Sequence, residues 1–220
     1  MTGNAWDERA ELYRTSVTHA TGDDLDAVVD LCNPHEGVKA LDVATGGAHV
    51  ARRLRERRAE VVTTDSSPGM QPDVVCRAED MPFADGSFDV VVSRIAAHHF
   101  EDLGTAIGEM ARVSNSVLVI EDMLYRTEEE QEAEKLRDPT HVRSLNPEEW
   151  RELLQSAALE IEQELFFSKE HDMDEWLART GCTGDDAARV REVLAPYYTN
   201  DDGSSWANDY IVVKARKSQK

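Results

Sequence analysis

The chain has 220 residues, of which 44 are acidic and 24 are basic, so its formal net charge at pH 7 is −20. Phosphate contacts need a basic surface, so this charge argues against nucleic acid as a partner. No apolar run approaches the ~20 residues that span a bilayer, and residues 1–11 are polar rather than a signal-peptide core, so we expect a cytoplasmic protein with no membrane partner.

The first elements in chain order form a predicted N-terminal helical cap over residues 1–37. Apolar positions recur at helical spacing over residues 4–19, and Asp23 is expected to cap a second helix. Strands and helical segments then alternate, which is typical of a parallel α/β sheet. The predicted strands of this part are residues 38–44, 60–64, 73–76, 88–95 and 116–120, and the predicted helices are residues 48–58 and 103–113.

The second half of the chain contains the remaining elements. Residues 126–137 are highly charged and predict a helix with a solvated face that belongs to a lid. Asn146 and Pro147 have the N-cap and N1 pattern of a helix that runs to about residue 158. The last predicted elements are strands at residues 159–167 and 206–215 and helices at residues 172–180 and 185–195.

These elements predict the fold class. We expect a single α/β domain over residues 1–220, with a doubly wound, mostly parallel seven-stranded sheet. Helical lid insertions are expected at residues 123–145 and 168–200. The cysteines Cys32, Cys76 and Cys182 are widely spaced and odd in number, and no metal-ligand spacing occurs, so we expect reduced thiols and no metal.

The most informative segment is residues 40–51, where an apolar strand ends near Asp42 and is followed by Gly46, Gly47 and a helix. Glycine lets a ligand approach the backbone, and a helix N-terminus presents unpaired N–H groups, so the segment predicts a nucleotide-binding turn. The turn lacks the spacing and third glycine of the dinucleotide motif G-x-G-x-x-G, and no Walker phosphate loop occurs. Asp42 would repel a phosphate and favour a cationic group such as an α-amino group.

Acidic residues near the next two strands indicate which nucleotide binds. Asp65 ends the second strand, where an acid can accept both hydroxyls of an adenosine ribose. Asp80 and Met81 follow the third strand, so the carboxylate can accept the adenine amine while the thioether packs on the ring. A ligand with ribose, adenine and an amino acid group but no phosphate is S-adenosylmethionine (SAM).

Four ordered motifs carry a resemblance to a known family. They are residues 41–49, 65–70, 78–89 and 94–100, and residues 136–143 match a segment found in one branch of that family. The sequence resembles the class I SAM-dependent methyltransferases, and within them the methyltransferase type 11 family, which includes ubiquinone and menaquinone biosynthesis C-methyltransferases. The similarity is strong over residues 38–122 and weaker elsewhere.

The resemblance implies a SAM-dependent methyl transfer to a small-molecule acceptor, whose O, N or C atom is not encoded by a motif. The alternative is a SAM-binding protein without transferase activity, such as a sensor or accessory subunit. The cofactor-contacting residues that the resemblance implies are Asp42, Ala44, Thr45, Gly46, Asp65, Ser66, Met70, Glu79, Asp80, Met81 and Arg94.

His98 and His99 follow the fourth strand, at the edge where these folds hold the acceptor, and are the predicted catalytic residues. A base is needed only when the acceptor loses a proton, as a phenol or an activated carbon does. Tyr13, Ser16 and His19 are expected to contact the cofactor, because the N-terminal helix closes over it in related enzymes. Glu121 and Asp122, which end the fifth strand, are candidates for the acceptor pocket.

One departure from the family pattern concerns the crossing between the second and third strands. About eight residues separate Asp65 from Val74, whereas a parallel crossover normally takes a dozen or more. Either an irregular loop makes the crossing or the third strand is displaced.

Overall fold

The computed structural model describes residues 5–218. Residues 1–4 and 219–220, which the predicted cap and single domain include, lie outside the described residues, and so does Asn4 as the first residue of the predicted helix. The helices are α1 (Ala5–Thr15), α2 (Val17–Ala20), α3 (Asp23–Leu31), α4 (His49–Glu56), α5 (Leu103–Val113), α6 (Glu128–Arg137), α7 (Pro147–Ser156), α8 (Met173–Ala178) and α9 (Gly184–Leu194). The strands are β1 (Lys39–Val43), β2 (Glu60–Asp65), β3 (Val74–Val75), β4 (Phe88–Arg94), β5 (Ser114–Met123), β6 (Leu159–Asp172) and β7 (Ser205–Lys217).

All seven strands form one sheet in the order β3-β2-β1-β4-β5-β7-β6. The strands from β3 to β5 are parallel, and β7 pairs antiparallel with both β5 and β6. The chain moves outward from β1 to β3 and then returns to place β4 on the other side of β1. This reversal puts a crevice at the carboxyl ends of β1 and β4, where such sheets bind ligands. The predicted doubly wound, mostly parallel seven-stranded fold is confirmed.

Alternate residues of the central strands bury the two faces of the sheet against different helices. On one face, Leu41 and Leu118 belong to a cluster with Ile107 of α5 and Trp150 of α7. The opposite face packs Ala40, Val90 and Val119 against α3 and α4. Because each side chain points away from its neighbours in sequence, a continuous apolar strand such as β4 supplies both layers.

An irregular loop makes the short crossing between β2 and β3, which is the first of the two alternatives. A single 3₁₀ turn, Pro68–Met70, replaces the usual helix. Val74 and Val75 still pair in parallel with Thr64 and Asp65. The Asp73 carboxylate stabilises this edge by accepting the Thr63 N–H at 2.9 Å.

Several predicted elements differ in extent. The helix over residues 4–19 is broken between α1 and α2 at Ser16, and β6 continues to Asp172 because it pairs with β7 along its whole length. The prediction that residues 126–137 form a solvated face is wrong for part of α6, since Glu130 and Glu134 are buried. That helix contributes Ala133 to a third apolar cluster, which also contains residues of α8, α9 and β7. Among residues 5–218, no helix is both long enough and apolar enough to cross a membrane.

Leu118 tests the packing of the central strand, because it is 1% exposed between α5 and α7. We expect Leu118→Ala to lower the free energy of unfolding by about 2–5 kcal/mol, from lost burial and the cavity left behind. Phe166→Ala on β6 is the control, since that ring is 55% exposed, and should cost about 1 kcal/mol or less. Urea denaturation of the three proteins measures the difference, and equal losses would contradict the packing described.

Candidate active site

A cavity of about 670 Å³ lies at the carboxyl ends of β1, β2 and β4. Its volume is within the roughly 300–1,000 Å³ that is typical of small-molecule sites. The glycine turn after β1 forms one wall, and the segment after β4 forms another. Residues of α1 and of the segment after α6 complete it, with Trp6, Tyr13, Pro139, Thr140 and Val142 among the lining residues.

Two buried carboxylates hold the turn between β1 and α4. Asp42 accepts the Thr45 hydroxyl at 2.6 Å and the Ala51 N–H of α4 at 3.1 Å. Burial raises the pKa of Asp42 to about 6, although these hydrogen bonds oppose the shift. Asp65 accepts the Gly46 N–H at 3.0 Å and so fixes the turn to the end of β2. These hydrogen bonds fix the polar groups beside the cavity.

The two positions of the turn, Gly46 and Gly47, require glycine for different structural reasons. Gly46 has φ +50° and a Cβ there would meet nothing within 4 Å, so the space beside it is open. A Cβ at Gly47 would come within 2.6 Å of both the Tyr13 carbonyl oxygen and His49 Nε2. His49 Nε2 donates to the Tyr13 carbonyl oxygen at 2.9 Å. Glycine at position 47 therefore lets α1 close against the turn.

Most of the predicted cofactor-contacting residues come together at this cavity. Those that line it are Asp42, Ala44, Thr45, Gly46, Asp65, Ser66, Met70, Glu79 and Arg94.

Two predicted cofactor residues do not line the cavity. Asp80 is exposed, and Met81 is 3% exposed in the apolar cluster on the α5 face. A tight turn bridges Arg77 and Asp80, and Glu79 of this turn faces the cavity instead. The Glu79 carboxylate also accepts the Glu101 N–H at 3.1 Å, which ties the turn to the loop before α5.

Arg94 lines the cavity as part of a buried ion network. Its Nε donates to Glu121 at 2.5 Å, another guanidinium nitrogen pairs with Asp24, and a third donates to the His19 carbonyl oxygen at 2.9 Å. Lys169 adds a second cation on Asp24 at 2.7 Å. Glu121 was a predicted candidate for the acceptor pocket. It does not line the cavity, and it instead holds Arg94 in place.

The two predicted catalytic histidines occupy different positions. His99 lines the cavity, whereas His98 is buried behind it. Asp122 Oδ1 lies 2.5 Å from His98 Nδ1, and Asp122 Oδ2 accepts the His98 N–H at 2.7 Å. Although burial disfavours the charged ring, the Asp122 carboxylate raises the pKa of His98. Burial, together with the neighbouring His98 charge, lowers the pKa of His99 well below its usual range.

The segment matching one branch of the family, residues 136–143, lies against these histidines. The N–H groups of Val142 and Arg143 both donate to the His98 carbonyl oxygen, at 2.8 and 3.2 Å. His141 packs 5.3 Å from the His98 ring and contacts Gln131 through Nε2. Only the tertiary fold brings this segment to the end of β4.

The cover formed by α1 was partly predicted. Tyr13 and His19 line the cavity as expected, whereas Ser16 does not and instead contacts the His19 ring at 2.8 Å. Trp6 and His49 also line the cavity and were missed. Helical periodicity alone could not distinguish a ring that covers a site from one that enters the core. Within residues 5–218, no group of three or more His, Cys, Asp or Glu residues could hold a metal ion.

A doubly wound sheet with a cavity of about 670 Å³ at its switch point is typical of α/β enzymes that bind nucleotides. Comparison with known proteins narrows the class. The family profile described as "Methyltransferase domain" matches residues 41–118. The chain is 30% identical to the E. coli protein YafE over 188 residues, which cover 78% of this chain and 91% of YafE. It is 27% identical to the uncharacterized methyltransferase YcgJ of Bacillus subtilis over 202 residues, 81% of this chain and 79% of YcgJ. The chain belongs to the class I methyltransferases of the type 11 family, and it is a methyltransferase.

Solved structures agree with this assignment. The BH2331 protein of Bacillus halodurans superposes with a TM-score of 0.81 at 27% identity, over 90% of this chain and all of that one. The Streptomyces coelicolor geranyl diphosphate C-methyltransferase, solved with S-adenosyl-L-homocysteine (SAH), has a TM-score of 0.64 at 13% identity, over 89% of this chain and 75% of that one. The second likeness is one of fold alone.

His141 makes the stability of the fold depend on pH, because burial and the nearby His98 charge lower the pKa of His141 to about 3. The unfolded chain binds a proton near pH 6.5 that folded His141 does not, so stability is present above that pH and falls as the pH drops toward 5. When the pH is lowered from 7.5 to 5.0, we expect the free energy of unfolding of His141→Gln to fall by about 2 kcal/mol less than that of the wild type. Urea midpoints at both pH values, with the exposed His35→Gln as control, measure this; parallel losses in all three would contradict a neutral buried His141.

Proposed function

We propose that this methyltransferase uses SAM, binds it in the cavity at the ends of β1, β2 and β4, and methylates a small-molecule acceptor in the cytoplasm. The observation that carries the proposal is the Asp65 carboxylate, fixed by the N–H groups of Gly46 and Ser67 at 3.0 and 2.9 Å beside an open glycine turn. A fixed acid at the end of the second strand is suited to ribose hydroxyls. Bound SAM supplies a methyl group on a positively charged sulfur.

The other lining residues support the same ligand. Asp42 holds the turn in place by accepting hydrogen bonds from Thr45 and Ala51. The backbone of the turn can then bind the amino acid part of SAM. Met70 and Ser66 line the cavity beyond Asp65, on the side where the adenosine would extend. Arg94 has three of its N–H groups committed to protein acceptors, so we assign it to the cavity wall rather than to ligand recognition.

The acceptor end is formed by aromatic and apolar side chains together with His99. Trp6, Tyr13, Pro139 and Val142 line this part, which favours a small organic acceptor over a macromolecule. The net charge of −20 is unfavourable for a nucleic acid acceptor. An acceptor pocket filled by bulky side chains would have favoured a SAM-binding protein without transferase activity. We favour transfer because the whole cavity has an open volume of about 670 Å³ and His99 lines it.

Methyl transfer requires alignment of the acceptor more than covalent help from the protein, and such positioning can be worth roughly 7–11 kcal/mol. The cover formed by α1 and the segment after α6 would exclude water and hold the acceptor. We assign proton acceptance to His99, because it lines the cavity, and an orienting role to the hydrogen-bonded pair of His98 and Asp122 behind it. The free thiols of Cys32, Cys76 and Cys182 are consistent with a reducing compartment.

Calorimetric titration with SAM and SAH tests the cofactor. We expect wild-type binding in the micromolar range and at least a tenfold loss in Asp65→Ala, which corresponds to about 1.4 kcal/mol. Asp80→Ala is the matched control, since Asp80 is an exposed aspartate outside the cavity, and its affinity should equal that of the wild type. No binding to the wild type would contradict the proposed cofactor, and a loss in Asp80→Ala alone would move the adenine site to that turn.

A further inference from the structure

The side-chain network behind His99 determines which ring nitrogen carries its proton. His99 Nδ1 lies 3.0 Å from the Thr140 carbonyl oxygen and 3.2 Å from Thr140 Oγ1. The Thr140 hydroxyl donates its single hydrogen to Asp138 Oδ1 at 2.7 Å, so Oγ1 can only accept from the ring. Both oxygens that face Nδ1 are therefore acceptors, and Nδ1 must carry the hydrogen.

Asp138 holds Thr140 in this arrangement by more than one contact. Its Oδ1 also accepts the Thr140 N–H at 3.0 Å, and it pairs with Arg9 of α1 at 3.0 Å. The Asp138 side chain is 2% exposed, so the ion pair is shielded from water. The Trp6 ring, also on α1, packs edge-on against His99 with centroids 4.6 Å apart. The Asp138 carboxylate thus both pairs with α1 and holds Thr140 beside His99.

We propose that Asp138, acting through Thr140, is a positioning residue that holds His99 in the Nδ1–H tautomer, so that Nε2 is the ring's proton acceptor at the cavity. The inference rests on the proposed function for the role of His99 as base. A hydroxyl or an acidic C–H that becomes methylated must lose a proton, and that proton passes to Nε2 to give the imidazolium. The contact with Arg9 makes this tautomer depend on closure of α1 over the cavity.

The tautomer can be measured without a ligand or an acceptor. The full chain is labelled with ¹⁵N-histidine, long-range ¹H–¹⁵N correlations at pH 7.5 identify the protonated nitrogen of each ring, and His99→Gln assigns the His99 signals. We expect His99 as a neutral ring with hydrogen on Nδ1 in the wild type. A wild-type ring with hydrogen on Nε2 would overturn the proposal.

Substitutions at the network test whether Asp138 causes the tautomer. Asp138→Ala removes the contacts to Thr140 and Arg9, and we expect a mixture of tautomers at His99. Asp138→Asn keeps an oxygen acceptor for Thr140 and should retain the Nδ1–H form. Asp174→Ala, which removes an aspartate that is 84% exposed and paired with Arg191, should change nothing. An unchanged ring in Asp138→Ala would overturn the positioning role.

Two further measurements separate this proposal from the fold and from the cofactor assignment. Thr140→Val removes only the hydroxyl contacts with His99 and Asp138. It should lower the Nδ1–H fraction of His99, and this test remains available if Asp138→Ala does not fold. An unchanged fraction would overturn the proposal that Asp138 acts through the Thr140 hydroxyl. SAH affinity of Asp138→Asn should stay within about twofold of the wild type. A tenfold loss would assign Asp138 to the cofactor pocket instead, whereas absence of SAH binding to the wild type would contradict the cofactor and leave the tautomer result valid.

Discussion

The site depends on the need of buried carboxylates for hydrogen-bond donors. A carboxylate removed from water costs several kcal/mol unless donors surround it. Asp42 accepts a backbone N–H of α4, and Asp65 accepts backbone N–H groups of the turn after β1 and of the loop after β2. The same bonds fix the backbone that forms one wall of the cavity. The acids that we propose to act in cofactor binding thus also hold the turn in shape.

The same principle operates at the ends of the other central strands. Glu121 and Asp122 lie near the end of β5, and they hold Arg94 at the end of β4 and His98 just after it. Arg94 is held on the floor of the cavity by Glu121 and Asp24, while His98 is held behind His99 by Asp122. Parallel strands bring their carboxyl ends to one edge, so acids and bases from distant parts of the chain meet there. The overall charge of −20 therefore coexists with cationic groups placed at the site.

Specific polar contacts connect α1, which covers the cavity, to the rest of the molecule. Asp7 of α1 accepts the Gly69 N–H at 2.8 Å, and Arg9 pairs with Asp138 beyond α6. The Asp7 contact lies at an exposed boundary and is individually weak, whereas the Arg9–Asp138 pair is shielded from water. They are compatible with a cover that opens to admit an acceptor and closes to exclude water. Closure and the state of His99 are linked because both involve Asp138.

The sequence by itself determined the order of the elements, the α/β class and the family, because strand, turn and helix signals are local. That Asp42, Asp65 and Gly46 line the cavity could be predicted for the same reason, since each lies near the end of a strand or in the adjoining turn. The local sequence pattern did not show whether Asp80 or Glu79 faces the cavity, because neighbouring side chains of a tight turn point in different directions. Nor did it reveal that Glu130 and Glu134 are buried, because their burial depends on α8, α9 and β7. The different roles of His98 and His99, and the part of Thr140 and Asp138, were decided only by the tertiary structure. Those residues lie about 40 positions apart in the chain, and the hydrogen bonds that distinguish the two rings exist only after the sheet has brought them together.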